Sequence, residues 1–87
     1  MATRTLTDLE VRILDFAEKH EGQKPALTYA AARAEFGWSA AGYVQKLYAV
    51  LDLPAAETKR PLLVHRLQRV RDERSQARAS RTFRLVS

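Results

Sequence analysis

Seven arginines, Arg66, Arg69, Arg71, Arg74, Arg78, Arg81 and Arg84, recur two to four residues apart with no lysine among them. Guanidinium is a planar fork of donors that binds phosphate two bonds at a time, and it is more weakly hydrated than ammonium. On a helix, Arg71, Arg74, Arg78 and Arg81 stand three or four apart and form one ridge. Such a ridge repels itself unless an anion lies along it. The chemistry this predicts is a grip on phosphate. Five such arginines on duplex DNA would give a log–log salt slope of roughly −4.5. Contacts of that kind orient a protein without reading sequence. The plainer alternative is a solvated basic helix that keeps the chain soluble. The phosphate reading requires these guanidiniums to be exposed and free of the chain's own carboxylates.

The charge is unevenly placed. Residues 1–60 carry eight Lys/Arg and eight Asp/Glu, while residues 61–87 carry the seven arginines against Asp72 and Glu73, so the net +5 resides at one end. A neutral body with an arginine-rich end points to a polyanion or an acidic surface as partner. Duplex DNA is favoured, RNA is a second polyanion, and an acidic protein is the rival. A membrane surface fits poorly, because residues 71–82 lack the opposing apolar face it needs.

Catalytic material is sparse. The absence of cysteine excludes disulfides, thiolate zinc sites and cysteine nucleophiles. His20 and His65 are far apart, with no carboxylate pair beside them to complete a metal site. Asp15 and Glu18 stand one turn apart on the first helix, as surface carboxylates commonly do. No phosphate-cradling glycine loop and no nucleophile elbow is present. A non-enzyme without cofactor or metal is expected. Met1-Ala2-Thr3-Arg4 has no apolar run behind it, and no stretch approaches the ~18 apolar residues of a membrane span, so the expectation is a cytoplasmic protein. Association with the nucleoid, or with a host cytoplasm if the protein is phage-encoded, would follow.

The elements that must carry these residues are helical. An 87-residue chain with 46% hydrophobic and 29% charged residues supports one small domain. Thr7-Asp8-Leu9-Glu10 is a capping box, flanked by Leu6 and Val11 at staple positions. Leu6, Leu9, Ile13, Phe16 and Ala17 then form a stripe over a helix at about 8–20, stopped by Glu21-Gly22. Pro25 suits the first position of a second helix, which runs to Phe36-Gly37. Ala30 and Ala34, with Leu27 and Ala31, are expected to face inward. Ser39 caps a third helix, whose apolar face is Tyr43, Val44, Leu47, Val50 and Leu51. Asp52-Leu53-Pro54 closes it, and residues 53–60 read as a linking loop. A last helix starts near Pro61 on Leu62, Leu63, Val64, Leu67 and Val70. Beyond Val70 it either projects, frays or orders on binding, and residues 83–86 alternate enough for a tiny strand or a docking tail. The expected fold is all-α. It is a three- to four-helix bundle with a helix-turn-helix-like core at 1–70 and an arginine-rich extension at 71–87.

Residues 30–51 carry the most specific local pattern. Small residues, then Phe36-Gly37-Trp38-Ser39, then a second periodic helix match the tight turn and polar cap of a helix-turn-helix. Phe36, Trp38, Tyr43 and Leu47 would fill the core. Ser39 would contact the DNA backbone, with Gln45 and Lys46 reaching bases or phosphates. Only those last two have the donors and acceptors that read base edges, which is few for a sequence-specific reader. The Ala40-Ala41-Gly42 patch suits close packing on a partner helix equally well.

Phe36-Gly37-Trp38-Ser39-Ala40, then Val50-Leu51-Asp52-x-Pro54, then Pro61-Leu62-Leu63-Val64-x-Arg66-Leu67 and the arginine tail resemble a family of small actinobacterial and actinobacteriophage proteins. Ile13-Leu14-Asp15-Phe16 resembles that family's opening. The resemblance spans roughly residues 11–83 and departs near 22–35, where aromatic residues typical of the family are absent. It implies a helix-turn-helix-like fold and brings no established activity. Together these readings lead to a DNA-binding protein with Ser39, Gln45, Lys46, Arg66, Arg69, Arg71, Arg74, Arg78 and Arg81 as its contacts, a regulator of transcription or a nucleoid protein. Oligomeric state is not legible.

Overall fold

Thr7 starts the first helix through the reciprocal contacts of a capping box. Its side-chain oxygen accepts from the Glu10 amide at 3.1 Å, and the Glu10 carboxylate accepts from the Thr7 amide at 2.9 Å. Arg4 adds two donors to the same carboxylate at 2.7 and 2.8 Å. These bonds, Arg4's first and the Thr7 amide's next, pull the Glu10 pKa from 4.5 to about 2. Glu10 therefore stabilises the fold fully above its unfolded-state pKa, and the contribution is lost as pH falls towards 2. Thr7→Ala is expected to cost about 1 kcal/mol of unfolding free energy. In Glu10→Gln, the fall of Tm between about pH 5 and pH 2 should be shallower than in the parent. Thermal melts by circular dichroism across that range check both, and parallel curves would contradict the second.

The computed structural model describes the backbone of residues 4–86 and the side chains of residues 4–79. It is all-α. Among the described residues the order is α1 (Asp8–Lys19), α2 (Pro25–Phe36), α3 (Ala40–Leu51), α4 (Pro54–Lys59) and α5 (Pro61–Val86), with no strand. The turns obey local rules. Gly37 ends α2 at φ +76°, a left-handed conformation that costs glycine nothing. Ser39 Oγ accepts from the Gly42 amide at 3.1 Å and starts α3. Pro25, Pro54 and Pro61 each open a helix, where the missing N–H is no loss.

The hub is α3, on which α1, α2, α4 and α5 all pack. Its sequence explains why. Tyr43, Leu47, Val50 and Leu51 are buried, and Val44 and Tyr48 are half-buried beside them, so apolar residues cover most of its circumference. From α1 come Ile13, Leu14, Phe16 and Ala17, and from α5 Leu63 and Val64. Phe16 sits at the centre of the aromatic contacts, edge-on to Phe36 at 5.4 Å and to Tyr43 at 5.3 Å. Phe36 and Trp38 pack against this core half-buried, stacked on each other at 4.5 Å.

Several sequence expectations are corrected. Residues 54–59 form α4 rather than a loop, and Ala56 seals it to the core with no exposed surface. The bundle thus has five helices where three or four were expected. On α1 the buried stripe includes Leu14, while Leu9 is 42% exposed. On α2, Ala30, Ala34 and Leu27 face solvent, and Ala32 is the buried residue. Tyr29 and Phe36 select that face, because the two aromatic rings bury far more surface than any alanine they might displace. Residues 83–86 continue α5 as helix, so there is no terminal strand. At ~1.5 Å per residue the 26-residue α5 is about 39 Å long. The radius of gyration is correspondingly 14.5 Å, against about 12 Å for a compact chain of this length.

Candidate functional site

The first half of α5 is clamped to the body, and two of the candidate arginines form part of the clamp. Arg66 donates twice to Glu21, in the turn after α1, at 2.7 and 2.9 Å. This pairing holds the Glu21 pKa below its ordinary value. Gln68 Nε2 donates to the Leu51 carbonyl at 2.9 Å, satisfying an acceptor left open at the end of α3. Arg71 donates to Asp52 at 2.9 Å, and its guanidinium stands 5.6 Å from the Tyr48 ring centre. One helix earlier, Arg60 reaches Asp15 and Glu18 on α1. Arg66 and Arg71 are therefore not the free cations the sequence reading required. Arg71 is half-buried and turned to the body, which takes it out of the expected solvent-facing ridge.

The remaining arginines differ. Arg69 and Arg74 are exposed and have no ion-pair partner among the described residues. They lie about 140° apart around α5, so they address different surroundings. Arg78 is exposed. The Arg81 side chain lies outside the described residues.

Arg74 and Arg78 form one wall of a groove whose other walls come from α2 and α3. Tyr29, Ala40, Ala41, Val44, Gln45 and Tyr48 line it with them, around an open volume of about 390 Å³. The same groove continues at Arg74 into a smaller hollow of about 150 Å³, lined by Tyr43, Leu47, Leu67 and Val70 of α3 and α5 and by His20, Glu21, Gln23 and Thr28 of the α1–α2 turn and α2. Burial, and then the neighbouring Tyr29, push the Tyr43 phenol up to about 12, so it stays neutral in any ordinary buffer. The groove thus combines an apolar floor with cationic and amide groups at its edge.

The fold brings Gln45 together with Arg74 and Arg78. It does not bring in Lys46, whose ammonium stands 5.1 Å from the Trp38 ring centre. Nor does it bring in Ser39, whose Oγ is engaged with the Gly42 amide. A Cβ added at Gly42 would meet that oxygen at 3.2 Å, which gives this mid-helix glycine a steric reason. Of the two histidines, His20 lies against the Phe16 ring and bonds Gln23, whereas His65 pairs with Glu57 at 3.0 Å. Sequence reasoning missed the groove itself, together with Tyr29, Tyr48 and Val70 in its walls. No short-range signal marks them, because the groove exists only once three helices are packed.

No helix among the described residues is long and apolar enough to cross a membrane. Neither the curated proteins nor the solved structures hold a match to this chain. A family model does match, over residues 5–79, and with most of its length inside that match the chain belongs to the family described as proteins of unknown function, DUF3263.

Proposed function

We propose that this protein is a non-enzymatic DNA-binding module of helix-turn-helix type, a transcriptional regulator or nucleoid-associated protein acting in the cytoplasm. The observation that carries the reading is the shared groove, where Gln45 of α3 faces Arg74 and Arg78 of α5. Base-edge chemistry and phosphate chemistry thereby occupy one surface. The α2–turn–α3 unit supports it, with a three-residue connection at 37–39 and an α3 whose first turn, at Ala40 and Ala41, is exposed and small enough for close approach to a backbone. The helix-turn-helix relationship and the actinobacterial or actinobacteriophage setting come from the resemblance of the 36–40 and 50–67 segments and belong to this proposal.

Internal pairing of Arg66 and Arg71 lowers the number of phosphates the protein can neutralise. With Arg74 engaged from the groove and the exposed Lys46 of α3 adding a phosphate contact outside it, the salt slope should be near −1.8 rather than −4.5. Titration of labelled random duplex at about 50 and about 200 mM salt tests this, with a fall in affinity of roughly twelvefold expected. A structured RNA titrated in parallel measures the other polyanion. Absence of duplex binding at the lower salt would overturn the proposal.

A further inference from the structure

We infer that the groove between α2, α3 and α5 is a docking site for an acidic, amphipathic helical segment of another protein, anchored by one large apolar side chain. The inference goes beyond DNA binding and rests on the deeper part of the groove. That part is the hollow of about 150 Å³ at Arg74, where Tyr43, Leu47, Leu67 and Val70 form an apolar side and His20, Glu21, Gln23 and Thr28 a polar one. A cavity of this size lined by apolar groups holds a benzene ring in a model protein. Here it would take a Phe or Leu side chain.

The rest of the groove says what surrounds that anchor. The hollow and the wider groove share Tyr29, Val44, Tyr48 and Arg74, so they are one continuous depression. At one end, exposed Ala40 and Ala41 leave room for a helix backbone to come close. Val70, on the α5 wall, is 40% exposed although its neighbours Leu63 and Val64 are buried, as expected of a residue that completes its burial against a partner. Such a floor is read by the helix-in-groove mode, with apolar residues at i, i+3 and i+4 facing inward. The flanks then determine charge. Arg74 stands at the rim with no ion-pair partner among the described residues, and Arg78 follows one turn later. Carboxylates on the partner's outer face would meet them, and cationic partners would be repelled. A second copy of this chain is a poor occupant, because it brings a net charge of +5 and its own arginine-rich α5 to the same cations.

The test uses the full chain, ¹⁵N-labelled, and a synthetic helical peptide of about four turns. The peptide carries Leu and one central Phe on one face and Glu and Asp on the other. Its control has Lys at every acidic position. Sub-millimolar binding of the acidic peptide is expected, with the largest amide shifts at Ala41, Val44, Tyr48 and Val70, and at least about tenfold weaker binding of the control. Ala41→Trp should fill the groove from an exposed position, and Arg74→Glu should reverse the rim. Each should weaken the acidic peptide at least about tenfold while the Tm stays within a few degrees of the parent. The inference is overturned if the acidic peptide does not bind, if the lysine control binds equally well, or if Ala41→Trp leaves affinity unchanged. It is also overturned if random duplex, but not the peptide, moves the Val44, Tyr48 and Val70 amides.

Discussion

Replacing Leu14 by alanine should remove about 3 kcal/mol of unfolding free energy, while the same change at Leu62 should remove less than about 0.5. The two leucines differ only in where the fold puts them. Leu14 has no exposed surface, whereas Leu62 is 72% exposed. Truncation at Leu14 loses the transfer free energy of the removed carbons and leaves a cavity in the core, which the surrounding side chains can fill only in part. The consequence is large because the domain is small. At ~0.05–0.15 kcal/mol per residue, 87 residues give a total of about 4–13 kcal/mol. A loss of ~3 kcal/mol corresponds to a drop in Tm of about 12–24 °C. Urea denaturation of both variants checks the contrast, and similar losses at the two positions would mean that α1 is not seated as described.

The second large effect concerns duplex binding. Substituting Arg74 by alanine should reduce the salt slope by about 0.9 and weaken binding to random duplex roughly tenfold at low salt. Arg71→Ala should behave in the opposite way. Its guanidinium already pairs with Asp52 and packs on Tyr48, so its loss should lower stability by up to about 1 kcal/mol and leave the slope unchanged. Gln45→Ala should have no effect on random duplex and a measurable one only where sequence is read. Anisotropy titrations at several salt concentrations, paired with melts of each variant, separate the two classes. If Arg71→Ala lowers the slope as much as Arg74→Ala, the division between clamping and gripping arginines is wrong.

That division bears on the peptide groove as well. Arg74 is shared by the proposed duplex and peptide surfaces, whereas the anchor hollow beside it is used only in the peptide proposal. A partner seated there would cover Arg74, so the two ligands should compete. The Val70 amide distinguishes them, since Val70 lines the hollow and not the wider groove.

How much of this was legible beforehand follows from the range of the forces involved. Thr7 with Glu10, Pro25, Gly37, Ser39 and Pro61 marked the ends of four helices, and those marks are local. A cap is satisfied within three residues of itself, and a left-handed glycine is required by its own backbone. The all-α class followed in the same way from apolar spacing. Short α4 was missed because one buried alanine, Ala56, carries no periodic signal. On α2, alanines on several faces concealed which face turns inward until Tyr29 and Phe36 were seated.

The seven arginines are where sequence alone gave way to tertiary structure. As residues they are the same chemical group, and their spacing ranks none above another. What separates them is the distance to carboxylates that lie far away along the chain, Glu21 for Arg66 and Asp52 for Arg71. Composition therefore determined that this end of the protein is cationic and helical. Packing of α5 on the body decided which cations are neutralised at home and which face a groove, because ion pairing depends on positions in space that only the assembled helices define.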